Sequence, residues 1–103
     1  MLTDYLTARD ATKATQTAAA IARAVTDLSA ARHGASELLH ACTEAQAAES
    51  AEKRAAMEQT VQTLGAIVRE LSNAVQAARA AQSAYDQLDR VEGTLRTNYG
   101  GTP

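Results

Sequence analysis

Met57, Val61, Leu64, Val68, Leu71, Val75 and Ala78 follow a strict four-three alternation, and Gln82 and Tyr85 carry it on. Spacing of that kind, held over four heptads, suits one structure: a helix whose apolar seam lies against another helix. Ile67 and Leu88 widen the seam, as expected for a helix buried on more than a narrow line. Beyond Tyr85 the apolar residues change step to Leu88, Val91, Leu95 and Tyr99. Such a shift alters local supercoiling without ending a helix. The first half carries a fainter stripe with similar spacing, made of Ala14, Ala18, Ile21, Val25, Leu28, Ala35, Leu39 and Cys42, with Arg32 as an exception. Leu2 and Leu6 extend it towards the N-terminus.

Nothing forbids helix from residue 3 to about 97, because the only proline is Pro103. Weak helix formers crowd the start, at Thr3, Thr7, Thr12, Thr15 and Thr17, and fraying is expected there. Two places compete for the turn. Gly34-Ala35-Ser36-Glu37 offers a glycine and an N-cap serine followed by an acid. The stripe nevertheless crosses Gly34 in register. Between residues 46 and 53 the seam positions become Gln46, Ser50 and Lys53, all polar. A reversal there divides the chain into two nearly equal arms that cover each other.

The expected fold is therefore all-α, an antiparallel two-helix hairpin of coiled-coil type. Helix 1 would run over about 3–46, the turn over about 47–52 and helix 2 over about 53–97, with a flexible tail at 98–103. Arms of that length would each span roughly 60 Å. A turn at Gly34 would give a three-helix bundle instead.

The apolar content is thin. Alanine supplies 25 residues, Phe and Trp are absent, and the aromatics are Tyr5, Tyr85 and Tyr99. Alanine favours helix but contributes little burial energy. Such a hairpin gains from a partner that covers its remaining apolar stripe. The expected helix interface comprises Ile21, Val25, Leu28, Leu39, Met57, Val61, Leu64, Val68, Leu71, Val75, Leu88 and Leu95. That partner is another helical hairpin, of this chain or a different one, or a helical segment of a larger protein.

A net charge of -2 with interspersed signs argues against a nucleic-acid footprint and against a basic membrane-surface helix. No run of eighteen apolar residues offers a membrane span. No basic flank followed by an apolar run opens the chain, so the expectation is synthesis as a soluble species in the cytoplasm. The single cysteine, Cys42, reads as a small apolar core residue.

No constellation for chemistry emerges. His33 and His40 lie two helical turns apart, with Glu37 between them and Cys42 near, whereas a shared metal on one helix favours spacings of three or four. Asp86 with Asp89, and Glu49 with Glu52, read as solvated helix faces. Arg54, Arg69, Arg79, Arg90 and Arg96 alternate with acids as a solubilising surface. No catalytic residue, metal or cofactor is expected. Gly65, beside Leu64 and Ile67, reads as a close crossing of the other helix.

One short element carries a resemblance. Tyr85-Asp86-Gln87-Leu88-Asp89 is a Tyr-x-x-x-Asp pattern, and positions i and i+4 share a side of a helix. Near the end of a hairpin of about 100 residues, this resembles the Esx-type, or Trp-x-Gly, family of type VII secretion, as a variant without the Trp-x-Gly turn. The likeness spans overall length, two-arm pattern, alanine-rich composition and the stretch from about Val61 to Tyr99. It implies an antiparallel hairpin that pairs with a second one and is secreted without a cleaved signal peptide. It also implies that Tyr85 and Asp89 act as the export signal. Read without the resemblance, Tyr85 is a seam tyrosine beside a surface acid, and the chain is a cytoplasmic coiled-coil chaperone or scaffold.

Overall fold

The computed structural model describes residues 1–10 and 13–100, and every element among them is helical. Helix α1 is Leu2–Asp10, α2 is Lys13–Ala47 and α3 is Ala51–Leu95, followed by a π-helical turn over Arg96–Gly100. None of these helices is long and apolar enough to cross a membrane.

The first arm, expected as one helix, is described as α1 and α2, whose shielded stripes differ in phase. On α1 the shielded residues are Leu2, Leu6 and Arg9, a four-three step. Extending the α2 stripe back from Ala18 in the same alternation selects positions 14, 11, 7 and 4, yet Asp4 and Thr7 are exposed. A single unbroken helix would not turn both stripes inward. Positions 11 and 12, between the two helices, lie outside the described residues.

Gly34 and Ser36 sit inside α2, which passes them without a break. The reversal falls at residues 48–50. Ala48 N–H donates to the carbonyls of Glu44 and Ala45, both at 3.3 Å, and Glu49 N–H to that of Gln46 at 3.2 Å, which tightens the last turn of α2. Ser50 caps α3: its hydroxyl accepts from Lys53 N–H at 3.4 Å, and its carbonyl accepts from Arg54 N–H at 2.8 Å. Glu52 places an acid in the first turn of α3, where the helix dipole favours it.

The chain divides into two compact units. The second comprises Thr26–Gln76, the reversal and the adjoining parts of α2 and α3. Gln46 fixes its register near the turn: its side-chain amide donates to the Arg54 carbonyl at 3.0 Å and to Glu58 at 2.7 Å. Carried along by heptads, that register sets Cys42 opposite Met57, Leu39 opposite Val61, Ala35 opposite Leu64, Arg32 opposite Val68 and Leu28 opposite Leu71. All of these are buried or half-buried. Val75 is fully buried and Ala35 is buried, while the larger seam residues stay half-shielded. Arg32 thus continues the stripe, its long stem lying where an apolar residue would.

The first unit comprises Met1–Val25 with Ala77–Pro103. Here α1 packs on the closing π-turn, and Leu6 is buried. The seam of α3 behaves differently from expectation in this unit. Its apolar residues change step after Tyr85, but its buried positions do not. Leu88 and Val91 are 40% and 57% exposed, whereas Glu92 is 2% exposed. The alternation continues strictly through Tyr85, Asp89, Glu92 and Arg96. Leu95 is half-buried, and the side chain of Tyr99 lies outside the described residues. Asn98 to Gly100, expected in the tail, belong to the π-turn, and 101–103 lie outside the described residues.

Candidate functional site

Two surfaces stand out, one in each unit. In the first unit, α3 offers an aromatic ring and two carboxylates on consecutive seam positions, and α1 answers with Tyr5 and Arg9. The Tyr5 hydroxyl donates to Glu92 Oε1 at 2.8 Å. Arg9 Nε donates to the same carboxylate at 2.8 Å, and Arg9 Nη2 pairs with Asp89. The Arg9 guanidinium also lies over the Tyr85 ring, 4.8 Å from its centroid, in cation–π geometry. The Arg9 side chain is 13% exposed and that of Asp89 53%.

Helical spacing builds this arrangement. Tyr5 and Arg9 are four apart on α1, and Tyr85, Asp89 and Glu92 follow four-three on α3, so each set shares a face. Burial alone would push the Glu92 carboxyl up. The hydrogen bonds from Arg9 and Tyr5, with the positive charge of Arg9, reverse that and hold it below the ordinary carboxylate range. The same bond to Glu92, aided by burial, raises the Tyr5 hydroxyl above its usual range. Glu92 is ionised at neutral pH, buried, and satisfied only by residues of α1 among the contacts that set its charge, save a more distant pull from Arg96.

Tyr85 and Asp89 are thus brought together, as the sequence pattern requires, and both are engaged by Arg9. The sequence reading missed Tyr5, Arg9 and Glu92. A signal was present: extending the heptads past Tyr85 without regard to polarity lands on Asp89 and Glu92, and a Tyr-x-x-x-Arg face on α1 is complementary to them.

The second surface is apolar. In an antiparallel pair, the flank preceding the seam on one helix falls on the same side as the equivalent flank of its partner. In the second unit this side carries Ala31, Leu38 and Ala45 from α2, with Lys53, Thr60, Ile67 and Ala74 from α3. Leu38 is 61% and Ile67 42% exposed. The opposite side carries Ser29, Ser36, Thr43, Glu58, Gly65 and Ser72. The first flank therefore exposes two large apolar side chains, and the other carries none. Of the residues expected at the interface, Leu88 is the exposed one, while Ile21, Val25, Leu28, Leu39, Met57, Val61, Leu64, Val68, Leu71 and Leu95 are half-buried and Val75 is buried.

The histidines make local pairs. His33 Nε2 lies 3.0 Å from Glu37, and His40 Nε2 3.1 Å from Glu44, all well exposed and four residues apart. Cys42 is half-buried on the α2 stripe. Among the described residues no group of three or more His, Cys, Asp or Glu comes within metal-binding reach. Gly65 does not mark a close crossing: a Cβ placed there, or at Gly34 or Gly93, meets nothing within 4 Å. A dent in the first unit, lined by Ala18, Ile21, Gln82, Tyr85 and Asp86, has a cavity volume of about 40 Å³ and is open to solvent. That is below the roughly 300–1,000 Å³ of ligand pockets. No protein-family model, curated protein or solved structure matches the chain.

Proposed function

We propose that this protein is a helix-docking adaptor whose apolar flank is covered by a helical hairpin of another chain, the two together forming a four-helix bundle. One observation carries the reading: heptad register puts the exposed Leu38 and Ile67 on the same side of the second unit, with alanines, Thr60 and Lys53, while the other side carries no large apolar residue. A core whose only buried apolar residues among those described are Leu6, Ala35 and Val75 gives a partner much to add. The alanines around Leu38 and Ile67 allow close approach of another helix backbone.

The resemblance to the Esx-type family specifies this reading further, as a type VII secretion substrate or the targeting partner of one, with Tyr85 and Asp89 as its export signal. The half-exposed Asp89 beside the Tyr85 ring favours it. A second reading, a cytoplasmic chaperone or scaffold with no export role, is favoured by the bonds from Arg9, which give Tyr85 and Asp89 a folding role of their own. An export assay separates the two. In a bacterium with an active type VII system, the tagged chain is expected in the culture filtrate, and Tyr85→Ala or Asp89→Ala is expected to keep it in the cells with helicity unchanged. Retention of the unaltered chain assigns the chaperone or scaffold role.

A further inference from the structure

The buried carboxylate of Glu92 does more than hold α1 in place. At a seam position facing another helix, an ionised and nearly fully buried acid penalises every cover that does not bring a cation and a hydrogen-bond donor to it. An apolar helix laid on this part of α3 would strand that charge. A helix presenting Tyr and Arg four residues apart, with a leucine between them to fill the space that Leu6 fills, satisfies it. Within this protein, that face is α1.

We propose that the Tyr85–Asp89–Glu92 end of α3 is a selective helix receptor, filled by the chain's own α1 and, in a dimer that exchanges this element, by the α1 of a second copy. The occupant in both cases is the same Tyr5–Leu6–Arg9 face, so the contacts are identical and only the connection differs. Charge complementarity identifies the partner: Arg9 meets two acids and a ring, and the receptor has no use for a neutral helix. The chain's own α1 competes at high effective concentration, which keeps exchange minor in the unaltered protein. This inference concerns the first unit and is independent of the partner proposed for the flank of the second.

Charge reversal makes the exchange visible. Arg9→Glu leaves an acidic α1 against an acidic receptor, and the double change Asp89→Arg/Glu92→Arg leaves a basic α1 against a basic one. Neither chain closes on itself, but each supplies what the other lacks. With one chain isotopically labelled, native mass spectrometry of an equimolar mixture is expected to show a ratio of heterodimer to total homodimer about tenfold above that of random pairing. Circular dichroism is expected to show helicity regained on mixing. The triple variant R9E/D89R/E92R closes within one chain and is expected to show no enrichment against labelled copies of itself. A mixture with no dimer, or with the statistical proportion that docking through another face would give, overturns the proposal.

Discussion

Glu92 is the residue whose environment departs furthest from what its type prefers. It is 2% exposed and ionised, and two donors from α1 hold it so. Removing one side of a buried charged pair costs far more than the pair's net contribution, because the other charge is left buried alone. Arg9→Met is therefore expected to lower the melting temperature more than the double change Arg9→Met/Glu92→Leu, measured by thermal circular dichroism. Acid should act in the same direction. A carboxyl held below its usual value contributes stability that is complete above its unfolded value, 4.5, and is lost as pH falls through the lower folded value. The stability difference between the unaltered chain and Glu92→Gln should be constant from about pH 5 to 8 and shrink below about 4. Tyr5 limits the alkaline side: its raised hydroxyl value means a contribution present below 10.0 and lost as pH rises beyond it. A pH-independent difference across the acid range would show that the folded chain does not hold the Glu92 carboxyl below its unfolded value.

At the scale of elements, much was legible because periodicity is a property of side-chain spacing alone. The α3 seam from Met57 to Tyr85 and the crossing of Gly34 in register could be read from the order of apolar residues. The position of the reversal followed from where that order lapsed, at Gln46 and Ser50. What could not be read this way depended on polarity. The seam beyond Tyr85 keeps its step while its residues turn charged, so following hydrophobicity led to Leu88 and Val91, which are exposed. The division between α1 and α2 was hidden because Leu2 and Leu6 look like a continuation of the stripe until its phase is counted. Gly65 misled in the opposite sense, since a glycine in a helix suggests contact and the space beside it is empty. That emptiness has a consequence. Gly65→Ala adds a methyl group without a clash and removes a poor helix former, so it is expected to stabilise by about 1 kcal/mol. Thermal melting should rise by roughly 4–8 °C, and a fall would mean that another backbone approaches Gly65 after all.

For the molecule as a whole, the two units solve the same problem by different means. Each pairs a part of α2 or α1 with a part of α3, and each has too few large apolar residues to enclose a core. The first closes its seam with ions and a ring, Tyr5 and Arg9 against Tyr85, Asp89 and Glu92. The second uses alanine, valine and leucine, and leaves Leu38 and Ile67 uncovered. A cover for that flank is the central claim, and thiol labelling inside cells tests it without knowledge of the partner's identity. In a Cys42→Ala background, Leu38→Cys and Ile67→Cys report the apolar flank, and Ser36→Cys reports the polar one. With the purified chain at low concentration, all three should react with a maleimide at similar rates. In the cells that make the protein, the first two are expected to be protected and the third is not. Equal labelling of both flanks in those cells would contradict it.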